Sequence, residues 1–178
     1  MAASLAGAAF EARAIMSLAR LGFALRRVGG PHDGGVDVEG AWRLSPALAV
    51  RVVGQCKSGG RTTGVGLARE VAALVGAQTG GAAAGAGAGP PSLGLAVSAS
   101  RFSTHFMRHM MAAAAPLVAV HIPPPGPDAD GVLSFVVNKA AQRLLPGLTV
   151  RPPARGGAHD VAVLHDGALV PAFESGAV

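Results

Sequence analysis

Three polar residues in this 178-residue chain are spaced so that they can act together: Asp37, Gln55 and Lys57. Asp37 closes the stretch GGPHDGGVD, and Gln55 and Lys57 bracket a cysteine in GQCKSGG. Side chains on a strand alternate between faces, so residues two apart share one. If VDVEG and ALAVRVVGQCK are the two strands of a hairpin turning at LSP, residues 44–46, then Val38 and Cys56 face the core. Asp37, Gln55 and Lys57 then converge on one polar face. Polar groups at the end of a buried strand are costly unless they have partners.

Phosphodiester hydrolysis assisted by a divalent cation gives these groups a purpose. Mg²⁺, or Mn²⁺ in its place, prefers carboxylate and carbonyl oxygens and retains several waters. Asp37 would anchor it, with Gln55 assisting through its amide oxygen. Lys57 would orient the attacking water and offset developing charge. Glu11, on the first helix, would complete the shell.

Other candidates have simpler readings. Asp33 precedes glycine and reads as a turn former. Glu39 shares a strand face with Asp37 but reads as a solvated charge. Arg69 and Glu70 read as a solvated helix pair. His105 and His109 have the i, i+4 spacing of a helical metal pair, but HFMRH lacks the glutamate of the zinc-protease motif. Cys56, the only cysteine, excludes an internal disulfide and reads as a small buried residue. Ser98 and Ser103 lack a nucleophile-elbow context. GAGAG at 85–89 lacks the lysine of a phosphate loop and reads as linker.

These residues need a scaffold. Half the residues are apolar and 14% are charged, enough to build a core and unlike a disordered chain. The pattern predicts a helix over 3–20, strands over 23–28, 36–42 and 47–57, and a helix over 65–78. A strand follows at 93–100, a helix at 102–114 and a strand at 117–122. A strand at 133–138, a short helix at 139–145 and a hairpin within 161–170 complete the order. This order indicates an α/β domain with a mixed central sheet flanked by helices, spanning 1–150. Residues 80–91 form a low-complexity insert, and 151–178 a C-terminal tail or small hairpin.

The formal net charge of +5 suits nucleic acid or an anionic membrane, although a GC-rich coding sequence gives the same residue bias. No apolar run is long enough for a membrane span. Aromatic residues make up only 4%, so base stacking would be limited and contacts to a duplex backbone are favoured. Arg61, Arg101 and Arg108 are the candidate phosphate contacts. The N-terminal stretch has the arginine-bearing composition of a mitochondrial presequence but reads more simply as a first helix.

Glu11, DGGVD at 33–37 and QCK at 55–57, followed by ARE at 68–70 and AVSASRFS at 96–103, resemble the Mrr-like branch of the PD-(D/E)XK restriction-endonuclease superfamily. The longer pattern from Glu11 to Ile122 resembles a fungal mitochondrial family required for respiratory growth. The resemblance implies a restriction-endonuclease-like fold and a Mg²⁺-dependent DNA endonuclease of mitochondrial location. It implies Asp37, Gln55 and Lys57 as the catalytic trio, with Glu11 the helix-one contribution. Cutting both strands of a duplex would suit a homodimer. A non-catalytic nucleic-acid-binding protein on the same fold is the alternative.

Overall fold

The computed structural model describes residues 2–28, 35–80, 91–126, 131–152 and 161–174. Asp33, most of the loop at 29–35 and nearly all of the insert at 80–91 lie outside the described residues.

The chain is an α/β fold built on a six-stranded mixed sheet. Helix α1 (Ala2–Ala19) leads into strands β1 (Phe23–Arg27), β2 (Val38–Ser45) and β3 (Leu48–Lys57). Helix α2 (Val65–Gly80), strand β4 (Ser92–Ser98), helix α3 (Thr104–Ala112) and strand β5 (Leu117–His121) follow. Strand β6 (Ser134–Val137) and helix α4 (Lys139–Leu144) precede a small three-stranded sheet of β7 (Leu148–Arg151), β8 (Ala162–His165) and β9 (Ala168–Leu169).

The strands of the large sheet lie side by side in chain order. β1, β2 and β3 pair antiparallel, β3, β4 and β5 pair parallel, and β6 returns antiparallel against β5. Parallel pairs need a crossover, and α2 and α3 supply the two crossovers here. Every residue of β4 is buried, as expected for a central strand covered on both faces.

Each face of the sheet has its own core. On one, Phe10, Ala14 and Leu18 of α1 pack against Val50 and Val52 of β3 and against Phe23 and Trp42. The rings of Phe23 and Trp42 stack at 4.5 Å, and Trp42 Nε1 donates to Leu21 O at 2.8 Å. Val161, Val163 and Val170, around the small sheet, bury into this same core. On the other face, Leu67, Val71 and Val75 of α2 and Phe106 and Met110 of α3 pack over Val53, Ala96 and Ala119.

Local rules explain the ends of several elements. α1 stops at Gly22, where φ is +85° and a Cβ would lie 2.5 Å from Arg43 O, so glycine is required. α3 starts at Ser103, whose hydroxyl accepts from Phe106 N at 3.1 Å. β2 begins at Val38, two residues after the strand predicted from sequence, and runs on to Ser45. β7 was not visible in the pattern, because its burial alternates only between half-covered and exposed.

Asn138 joins the second core to the C-terminal elements. It is fully buried and caps α4 by accepting from Ala141 N at 2.9 Å. Its Oδ1 also accepts from Leu117 N, and its Nδ2 donates to Met110 O, Ala113 O and Ala115 O. Asn138→Ala would orphan buried groups on three segments at once. The expected loss is roughly 2–4 kcal/mol of unfolding free energy, measured by urea denaturation.

Candidate functional site

β3 carries the candidate residues because its two faces serve different cores. Val50 and Val52 point to the α1 side and Cys56 packs there with them, whereas Val53 points to the α2 side. By alternation Gln55 and Lys57 follow Val53. The strand is buried from Val52 to Gly54 and emerges at its end, where Gln55 is half-buried and Lys57 exposed. The parallel strands β3, β4 and β5 all end at this edge, with Lys57, Ser98 and His121 level across it. The carboxyl ends of parallel strands are the usual ligand side of an open α/β sheet.

Asp37 is fixed from three directions. Its N–H donates to Gly54 O at 3.0 Å, and its carbonyl accepts from Val28 N at 3.0 Å. Its carboxylate Oδ2 accepts from Cys56 N at 2.7 Å. Just before β2 begins, the carboxylate thus serves the next donor on that edge of β3. The hydrogen bond sets Asp37 directly beside the Gln55–Lys57 segment.

Gln55 is the polar group with an open valence. Its Oε1 is buried and has no hydrogen-bond partner among the described residues, while its Nε2 lies by Gly35, where a Cβ would be 3.8 Å away. An orphaned buried acceptor costs about 1–3 kcal/mol, so a donor or a cation at that oxygen would relieve a real penalty.

Glu11 reaches the segment from the α1 side. Its side chain is only 13% exposed and is paired with Arg27. Burial pushes the Cys56 thiol far above its ordinary range, and the Asp37 and then the Glu11 carboxylates add to that. Glu39, opposite Arg26 in the β1–β2 ladder, is paired with that arginine.

The α2 side holds two adjoining cavities. One, of about 270 Å³, is lined by Lys57, Thr62, Thr63, Leu67 and Glu70, among others. The second, of about 450 Å³, is lined by Gly35, Gln55, Glu70, Ala73, Leu74 and Ala77. Glu70 is common to both. Sequence reading passed over it as half of a solvated pair with Arg69. The available signal was its place three residues after Leu67 and four before Leu74, along the margin of the buried stripe of α2.

The loops leaving β3 and β4 are tied together at this edge. Thr63 bridges to Phe102, its N–H donates to Arg101 O at 2.9 Å, and its hydroxyl bonds that of Ser98. Ser100 Oγ donates to Gly60 O at 2.5 Å. Arg61 and Arg101 are therefore held exposed on neighbouring loops, with Arg108 exposed on α3. His121 is half-buried, and burial lowers its pKa; Arg101 acts in the same direction, against a hydrogen bond to Ala99. Among the described residues, no three of His, Cys, Asp and Glu gather closely enough to hold a metal by themselves, and His105 and His109 form no such group.

The Cys56 thiol gives the site a pH signature. The folded protein holds the proton above the ordinary thiol value of 9.0, so the unfolded chain releases it first and stability falls as pH rises beyond that value. Between pH 9 and 10 the wild type should lose about 1 kcal/mol more unfolding free energy than Cys56→Ala, as read by urea denaturation. An equal loss in both would show the thiol to be freely ionisable.

No helix among the described residues is long and apolar enough to cross a membrane. No curated protein and no solved structure matches the chain. The family model described as Required for respiratory growth protein 7 matches residues 2–57, the segment from α1 to the end of β3 that carries Glu11, Asp37, Gln55 and Lys57. Over that segment, the chain is similar to the respiratory-growth family.

Proposed function

We propose that the chain is a divalent-cation-dependent deoxyribonuclease with a restriction-endonuclease-like fold, acting in mitochondrial genome maintenance. The observation that supports this reading is the Asp37 carboxylate fixed on the Cys56 N–H, between Gln55, whose buried Oε1 has no partner among the described residues, and Lys57. The similarity to a family required for respiratory growth supports the mitochondrial setting.

The donor chemistry fits Mg²⁺ or Mn²⁺. Asp37 offers a carboxylate and Gln55 a neutral carbonyl oxygen, and water would fill the remaining positions. When bound, the cation polarises a phosphate oxygen and makes bound water a better nucleophile. The protein's own groups do the rest. The Cys56 N–H fixes the Asp37 carboxylate, so it needs no reorganisation on binding. Lys57, exposed at the strand end, directs the attacking water and offsets charge growing on the phosphate. Glu11, held by Arg27, is the helix-one carboxylate of this reading and lies on the Cys56 side of β3. Arg61, Arg101 and Arg108 hold the duplex by its phosphates, which positions the protein without reading sequence. A homodimer would bring two such sites to the two strands.

The Glu11–Arg27 pair also favours the second reading, a non-catalytic DNA-binding protein on the same fold, because it removes one carboxylate from the chemistry. Plasmid nicking with Mg²⁺, Mn²⁺ or EDTA separates the two. Metal-dependent nicking should fall at least about 100-fold in Asp37→Ala and in Lys57→Ala, with DNA binding retained. Binding without nicking in the wild type would leave the second reading standing.

The same arginines make a separate prediction. Each of Arg61→Ala, Arg101→Ala and Arg108→Ala should weaken duplex binding for any sequence. Each should also reduce the slope of log K against log salt by about 0.9, read by fluorescence anisotropy across a salt series. An unchanged slope in all three would place the DNA on another face.

A further inference from the structure

β3 supplies a neutral amide at position 55, so Asp37 is the carboxylate that the strands bring to Gln55. A hard divalent cation is held most strongly by anionic oxygen, and one carboxylate leaves half of its charge uncompensated. Glu11 is badly placed to supply the remainder. Its carboxylate is joined to Arg27 and approaches from the α1 side, whereas Gln55 and Lys57 project with Val53 toward α2.

Glu70 stands on the α2 side. It lines both the Lys57 cavity and the Gln55 cavity, so it borders both candidate groups at once. Its Oε1 leans back over the first turn of α2, where a Cβ on Gly66 would be 3.8 Å away. This is the direction helical side chains take toward the N-terminus, and it carries the carboxylate toward the end of β3. Arg26, Arg27 and His165 hold the ion pairs found among the described residues, and none of these involves Glu70. Gln55 lines the same cavity, and its buried Oε1 lacks a partner among the described residues.

We propose that Glu70 is the second carboxylate of the cation site, supplying from α2 the acid that β3 lacks at position 55. The assignment rests on the nuclease reading and is separable from it by measuring metal uptake directly. Mn²⁺ is titrated calorimetrically into the full chain as wild type, Glu70→Gln, Glu70→Asp and Arg69→Gln, with circular dichroism to establish that each is folded. Glu70→Gln should weaken Mn²⁺ binding about 10- to 100-fold, the range seen when a group supporting a metal site is lost. Glu70→Asp, which keeps the charge, should recover part of the affinity, and Arg69→Gln, one residue away, should bind no more weakly than wild type. Wild-type affinity in Glu70→Gln, with wild-type nicking intact, would overturn the assignment and leave the nuclease reading in place. A wild type that takes up no Mn²⁺ would overturn both. Equal weakening in Glu70→Gln and Arg69→Gln would mark a disturbed helix surface and overturn the role of Glu70 alone.

Discussion

The hydrogen bond from Cys56 N to the Asp37 carboxylate is the interaction on which this end of the molecule depends. β3 is the strand at which the sheet changes character, antiparallel toward β2 and parallel toward β4. Its parallel edge stays paired as far as Lys57, opposite Ser98, while the β2 ladder begins at Val38 opposite Gly54. A strand paired farther along one edge than the other leaves backbone donors that must be served, since an unpaired buried donor costs as much as a lost hydrogen bond. The Asp37 carboxylate serves one of them. The same contact fixes a negative charge on the backbone of Cys56, next to Gln55 in the chain, so the side chain that completes the sheet edge also sets the electrostatics of that strand end.

The parts of this arrangement that were legible in the sequence are the periodic ones. Alternation along ALAVRVVGQCK gave β3 within one residue of its observed start and placed Gln55 and Lys57 on the face opposite Cys56, because a two-residue period survives any tertiary context. The helical spacing of Leu67, Val71 and Val75 gave α2, and these residues do bury together. What escaped was pairwise and long-range. Nothing near Glu11 announces that Arg27 will neutralise it, sixteen residues away. Nothing near Asn138 announces five hydrogen bonds to groups between Met110 and Ala141. β7 escaped for a different reason: its edge-like burial leaves no apolar alternation strong enough to show.

The position of the arginines follows from how the loops are tied. A glycine-rich segment such as SGGRTTG would ordinarily carry its side chains loosely, because glycine loses more conformational freedom on ordering than other residues. Here the Thr63–Phe102 bridge, the Thr63–Ser98 hydroxyl pair and the Ser100–Gly60 bond join it to the loop after β4. Both partners of the hydroxyl pair are buried, so the tie is sheltered from competing water. Two loops that would otherwise move independently become one rim, with Arg61 and Arg101 on it and Lys57 beneath. A rim ordered before it meets an anionic backbone has less entropy to lose on binding.

The two sides of β3 differ in how their charge is balanced, and this difference bears on where chemistry can occur. On the α1 side the sparingly exposed Glu11 carboxylate is closed by Arg27, and Cys56 beside it keeps its proton. Adding a cation there would mean displacing Arg27, itself half exposed, from a carboxylate that it already neutralises. On the α2 side the Gln55 amide oxygen has no partner among the described residues, and Glu70 lines two cavities. Glu70 is exposed there, so its carboxylate is reached without separating any ion pair found among the described residues. The alternation of one strand therefore separates a neutralised face from an open one, and Lys57 lies on the open one.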